Sequence, residues 1–409
     1  MQVSERTTCR VCGSADLKFL FTLGDQYVSN FLDKGESPGQ RVPIRLQLCN
    51  KCTLVQLQHT APQEILYSRY YWYRSGVTQT MYNALRDITR QLEDRVDLKP
   101  SDVVLDIGSN DGTLLRSYEK ACYKVGVEPA KNLAEEGAEG VDCFINDFWD
   151  ADKYFYQVGA GAKVITAIGM FYDLEDPNKF IAGVADSLRR DGIFVAQLMC
   201  LKNMIDLHDV GNFAHEHLEY YSFASLQYLY EKHGLKIIDI ETNDVNGRSY
   251  RIWARLKGGT INRPKGAERR IAEVQSEEEG LDQVSFYHNF FNQLQENRKK
   301  IRQFILDAVA EGKTVWVYGA STKGNVILQY YGLDSTVIKG ASDRSPEKWG
   351  KFTVGTGIEI FSEAIAREAN PDYFLVLPYA FLDEFMIREK KWRDGGGKFI
   401  VPLPELRVV

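Results

Sequence analysis

Two histidines flank a glutamate in the stretch NFAHEHLEYYS, at His215, Glu216 and His217, in a chain of 409 residues that holds only six histidines. An imidazole beside a carboxylate can act as a general base near neutral pH, ligate a metal, or simply hydrogen-bond within a turn. Spacing weighs against the metal. Residues two apart diverge by about 200° on a helix, and no third ligand stands nearby. The cysteines are more decisive. Cys9 and Cys12 form one Cys-x-x-Cys pair and Cys49 and Cys52 another. Four thiolates at tetrahedral corners make a closed structural zinc site, which leaves no position for water and so no catalysis at the metal. The alternative is four reduced, buried cysteines. A zinc would staple a small N-terminal domain, residues 1–62, that is short of core for its size.

A third constellation lies in DVVLDIGSNDGTLL. A short apolar strand ends at Asp106, a turn carries Gly108, Asn110 and Gly112, and a helix follows. Glycine lets the backbone approach a ligand closely, and the carboxyl end of such a strand is where open α/β sheets bind ligands. About twenty residues on, VGVEPA ends the next strand at Glu128, where a carboxylate can accept both hydroxyl hydrogens of a ribose.

These groups need a scaffold to position them. Residues 63–97 read as largely helical, with apolar residues at intervals of three and four. Strands and helices then alternate to about residue 255, as in a doubly wound α/β domain. A charged helical segment, read as a linker helix between domains, leads to a second α/β unit opened by YGASTKGN. There Ser321, Thr322, Lys323 and Asn325 sit at a helix start suited to a diphosphate, and Asp343 ends the next strand. The unit could equally be a buttress without ligand. The divisions expected are 1–62, 63–255 and 256–409.

Composition excludes some classes. The net charge of -6 gives no broad footprint for nucleic acid, and 12% aromatic with 26% charged residues describes a folded chain. Neither a secretory signal nor an apolar run long enough to span a bilayer is visible, so a cytoplasmic protein with no membrane partner is expected, as a monomer or small homo-oligomer. Seven cysteines in such a compartment do not make a disulfide framework.

The turn lacks the second glycine of a dinucleotide fingerprint, and its acidic residues would repel a pyrophosphate. The motif resembles instead the first motif of class I S-adenosylmethionine-dependent methyltransferases, whose cofactor is cationic. That resemblance implies cofactor contacts from Asp106, Gly108, Asn110, Gly112 and Glu128, with Asp147 near the adenine. The ordered set of the cysteine head, DIGSNDGTL, VGVEPA, HEHLEYYS, YGASTKGN and FIVPLPE resembles more narrowly the three-domain sugar C-methyltransferases, over nearly the whole chain. The resemblance implies an α/β architecture with a zinc-binding head, a class I Rossmann-like middle domain and a second Rossmann-like C-terminal domain. It also implies a nucleotide-linked 4-keto-6-deoxy sugar methylated at C3, with His217 as base and Glu216 its companion; His215, Tyr220 or Tyr221 could supply the donor for the enolate oxygen. The chain departs from the family at Ala214, where many members have tyrosine, and at Asp173, where several have histidine. Tyr73, Arg74 and Tyr172 are candidate replacements around the sugar. Methylation of oxygen or nitrogen in another metabolite, or a zinc-headed binding protein without activity, are the competing readings.

Overall fold

The computed structural model describes residues 3–61, 66, 71–245 and 247–409. The head is an antiparallel sheet of β1 (Leu17–Tyr27), β2 (Arg41–Cys49) and β3 (Val55–Leu57). Val42, Ile44, Leu46 and Leu48 of β2 are buried at period two, as a half-buried strand requires.

The helical lead-in is shorter than its periodicity suggested. Among the described residues the regular helix is α1 (Gln79–Arg95), opened by Thr78, whose side chain accepts from the Met81 amide. It buries Met81, Leu85, Ile88 and Leu92 along one face. Residues 71–74 carry no helix, and 62–65 and 67–70 lie outside the described residues.

The middle domain then runs through β4 (Val103–Ile107), α2 (Thr113–Arg116), β5 (Tyr123–Val127), β6 (Cys143–Ile145), β7 (Ala162–Ile168), α3 (Pro177–Ser187) and β8 (Leu188–Met199). All five residues of β4 are buried, as in a parallel strand covered on both faces. The chain next lends Glu219–Tyr220 (β9) to the head sheet beside β3, forms α4 (Phe223–Lys232), and returns for β10 (Leu235–Asn243) and β11 (Ser249–Leu256). The resulting sheet has the order β10-β11-β8-β7-β4-β5-β6, parallel except for β11, which runs antiparallel to both neighbours. The head and the middle domain are therefore joined by a shared sheet as well as by the chain.

The charged segment forms two helices, α5 (Ala267–Glu277) and α6 (Val284–Ala310), broken around Gly280, whose φ is 92°. Phe290 of α6 packs against Phe21 of β1, with ring centroids 5.5 Å apart, so the linker is wedged on the head. The C-terminal unit comprises β12 (Val315–Tyr318), α7 (Thr322–Tyr331), β13 (Ala341–Asp343), β14 (Ile360–Ser362), β15 (Tyr373–Val376), β16 (Lys398–Val401) and β17 (Arg407–Val408). Its sheet order is β14-β13-β12-β15-β16-β17, with only β17 antiparallel. Among the described residues no helix is long and apolar enough to cross a membrane.

Candidate active site

The four cysteine sulfurs of the head lie within 4.8 Å of one another. Cys9 and Cys52 are 3.5 Å apart and Cys12 and Cys49 3.4 Å; tetrahedral zinc with Zn–S near 2.3 Å asks for about 3.8 Å. The donor set and its spacing fit the metal. Each pair is closed by a left-handed residue, Gly13 at φ 74° and Thr53 at φ 58°, whose amide donates back to Cys9 or Cys49. Arg10, inside the first pair, is buried and donates to the Leu57 carbonyl, to Thr60 Oγ1 and to Glu175. Its Nε lies 3.8 Å from the fully buried Glu219 of β9. The metal staple is thus tied to the loop that follows the histidines.

A cavity of about 530 Å³ opens where the three domains meet. At one end stand Asp106, Gly108, Asn110 and Glu128. Gly108 adopts φ 74°, and a Cβ there would lie 2.7 Å from Met170 Cγ, so only glycine serves this turn. The amides of Asn110 and Ala130 donate to Glu128. Thr166 Oγ1 donates to Asp106 at 2.6 Å. Burial, with the charges of Glu128 and Asp111 adding to it, pushes the Asp106 carboxyl up to about 7. Burial also raises Glu128. No cation touches either of them among the described residues, and Ser109 Oγ is buried without a partner. Two underneutralised carboxyls and an open backbone turn fit a cationic ligand and not a pyrophosphate.

Two expected cofactor residues fall elsewhere. Gly112 starts α2 behind the cavity wall, at φ 75°. Asp147 is half-buried and ion-paired with Lys153, outside the cavity; the exposed Phe148, together with Trp149, lines the cavity in its place. Asp111 spends its carboxylate on the amides of Gly76 and Thr113, which pins the lead-in over the turn.

At the other end His217 faces the cavity, and its Nδ1 donates to the Asn212 carbonyl at 2.7 Å. That bond fixes the tautomer, and Nε2 has no hydrogen-bond partner among the described residues. The Tyr172 ring packs edge-on to it, 4.8 Å away. Burial first and the Lys323 charge second push the imidazole down to about 3, so it is neutral. Glu216 lies in the cavity wall, its carboxyl raised by burial. The orienting partner expected of Glu216 is thus a main-chain carbonyl instead. Asp173 also lines the cavity, with Oδ1 buried and unpartnered, and burial beside Glu216 and Glu219 raises it strongly.

His215 turns the other way, its Nε2 bonded to the Val42 carbonyl of β2 at 2.8 Å; it fastens the loop to the head and does not line the cavity. The expected donors Tyr220 and Tyr221 are also buried away from it, against Phe213 and Phe171. His215 and Glu216 sit in a turn closed by the His217 amide, which donates to the Ala214 carbonyl, and this turn points the two imidazoles apart. Arg74 bridges Glu136 and Glu347 outside the cavity, whereas Tyr73 and Tyr172 line it.

The C-terminal unit contributes Thr322 and Lys323. Ser321 is occupied in accepting from the Gly324 amide, Asn325 donates to the Asn30 carbonyl, and Asp343 accepts from the Ala320 amide and pairs with Lys348. These three build the turn without lining the cavity. Sequence reasoning missed Asn212, which acts through its carbonyl and so carries no side-chain signal. It also missed Ser29 and Asn30, which the head places in the same wall.

A sheet of this order with one inverted strand, carrying an acidic glycine turn at the end of β4, defines a class I S-adenosylmethionine-dependent methyltransferase. Family models agree along the chain: a "Putative zinc binding domain" over residues 9–67, a methyltransferase domain over 77–240 and a C-methyltransferase C-terminal domain over 244–404. The chain is 31% identical to the C-methyltransferase NovU of Streptomyces niveus, with 98% of this chain and 96% of that one covered. It belongs to that C-methyltransferase family, with S-adenosylmethionine as cofactor and a structural zinc in the head. Among solved structures, a magnesium protoporphyrin IX methyltransferase from Synechocystis PCC 6803 with bound SAM is 13% identical, covering 42% of this chain and 78% of that one, at a TM-score of 0.32. An S-adenosylmethionine-dependent methyltransferase from Clostridium acetobutylicum ATCC 824 is 14% identical, covering 43% and 92%, at 0.35.

Proposed function

We propose that the protein methylates carbon C3 of a nucleotide-linked 4-keto-6-deoxy sugar, with His217 as the base. The observation that carries this reading is a neutral imidazole whose unprotonated Nε2 opens on the same cavity as the acidic glycine turn. An aliphatic carbon becomes nucleophilic only after losing a proton next to a carbonyl, so carbon methylation needs a base that is unprotonated at cellular pH. His217 Nε2 takes the C3 proton, the C–H pair forms the C3=C4 double bond of the enolate, and the C4 carbonyl π pair moves onto oxygen. Bound beside the acidic turn, S-adenosylmethionine would supply the methyl group to that carbon with the S–CH3 pair remaining on sulfur, the enolate pair making the new C–C bond as the ketone returns. His217 then returns its proton to solvent. Tyr73, Tyr172, Thr322 and Lys323 are the proposed substrate-facing side chains.

The test is proton exchange. Candidate ketosugar nucleotides incubated with the enzyme in deuterated water, without methyl donor, should take up deuterium at C3. Methylation of a product with no such exchange would instead place the methyl on oxygen or nitrogen.

A further inference from the structure

Removing a proton next to a ketone leaves negative charge on the carbonyl oxygen, and a buried pocket must neutralise it. Two cationic side chains line the cavity among the described residues, Lys179 and Lys323. Lys179 is held by Asp150 at 3.1 Å, so its charge is already answered. The Lys323 ammonium group makes no hydrogen bond or ion pair with any described residue. Asp209 and Glu216 flank it closely enough to interact through their charges, and neither captures it.

Its backbone is anchored where the chemistry is. A Cβ on Gly211 would come 3.1 Å from the Lys323 carbonyl oxygen and 3.3 Å from Lys323 Cβ, so the first turn of α7 lies directly on that glycine. The adjoining residue, Asn212, holds His217 by its carbonyl and donates its amide to Asp209. The base and the lysine therefore hang from one contact between two domains, and a shift of one moves the other.

We infer that Lys323 is a catalytic residue whose ammonium group neutralises the enolate oxygen formed when His217 removes the carbon proton. The inference rests on the ketone reading above. It gives the C-terminal domain a part in the chemistry beyond holding a nucleotide, and it assigns Lys323 to the ketone oxygen in preference to the diphosphate. No covalent bond is made to the lysine, and its proton stays on nitrogen while it donates to the oxygen.

The experiment uses the full-length, zinc-loaded enzyme. Deuterium exchange into a saturating ketosugar nucleotide is measured without methyl donor for the parent, Lys323→Met and Lys323→Arg, and dTDP, UDP and GDP affinities are measured by calorimetry on the same samples. Lys323→Met should lower the saturated exchange rate about 100- to 1000-fold, the size expected for losing one oxyanion donor. Binding of the preferred nucleoside diphosphate should change less than threefold, and Lys323→Arg should recover at least tenfold of the rate. Saturated exchange at the parental rate in Lys323→Met overturns the inference, and so does a loss confined to diphosphate affinity, which would make Lys323 a phosphate holder. Nucleotide binding also reports folding. Should Lys323→Met misfold, Lys323→Ala assayed with ethylammonium asks the same question: restored exchange supports the role, and its absence overturns it. A parent that exchanges no ketosugar at all overturns the ketone reading and this inference together, a result distinct from the loss of the lysine's role alone.

Discussion

His217 donates Nδ1–H to the main-chain carbonyl of Asn212, and this single bond decides that the cavity meets the unprotonated Nε2. A carbonyl accepts but cannot itself titrate, so the tautomer does not depend on the state of a neighbouring acid.

The first prediction concerns pH. A base is competent only when unprotonated, and burial with the Lys323 charge pushes the His217 imidazole down to about 3. The groups facing it are Lys323, Tyr172 and Glu216, on three different segments. Carbon-proton exchange measured without methyl donor should therefore show no acid limb near the ordinary histidine value of about 6.5, and should hold level down to at least about pH 5. A limb centred near 6.5 in kcat/KM for exchange would show an imidazole that is solvated in the working enzyme.

Asp106 provides a second. Without ligand its carboxyl sits at about 7, raised by burial and by Glu128 and Asp111. A cation arriving beside it favours the charged form, so its pKa must fall on binding. At pH 7 roughly half a proton should be released per S-adenosylmethionine bound, measured by calorimetry in buffers of different ionisation enthalpy. Asp106→Asn should abolish the release and weaken binding roughly 10- to 100-fold, the value of a hydrogen bond to a charged group.

Gly211→Ala is a third. The added methyl meets the Lys323 carbonyl at 3.1 Å and Ile327 Cδ1 at 3.2 Å, and must push α7 off the catalytic turn. Overpacking of this kind costs about 1–3 kcal/mol. Chemical denaturation should show that loss, accompanied by slower exchange with unchanged zinc content.

The head supplies a fourth. Arg10→Met leaves the fully buried Glu219 with no cation at ion-pair distance among the described residues, Arg6 acting on it only from farther off. Breaking one side of such a pair costs about 3–5 kcal/mol, which unfolding by urea should register while zinc stays at one equivalent per chain. Stability equal to the parent would mean that Arg10 does not tie the head to the loop after His217.

Much of this was legible in the chain because the signals are local. The spacing of Cys9, Cys12, Cys49 and Cys52, the buried run ending at Asp106, and Glu128 one strand on are each written within a few residues, and the structure brings each set together. What escaped depends on direction and on distant contacts. His215 and His217 look alike in sequence, yet one is turned to Val42 of the head and the other to the cavity. Asp147 follows its strand as expected, but its carboxylate pairs with Lys153 outside the cavity, and the next residue, Phe148, lines the cavity instead. Lys323 is more than a hundred residues from His217, and only the seat of α7 on Gly211 makes them neighbours.

The most direct measurement replaces His217 by glutamine, whose amide keeps a donor for Asn212 but cannot take a proton from carbon. With folding and binding of S-adenosylmethionine and nucleotide sugar retained, C3 deuterium exchange and methyl transfer should both fall about 100- to 10,000-fold, the range for losing a general base. Exchange and turnover at the parental rate in that folded, ligand-competent variant would contradict the account.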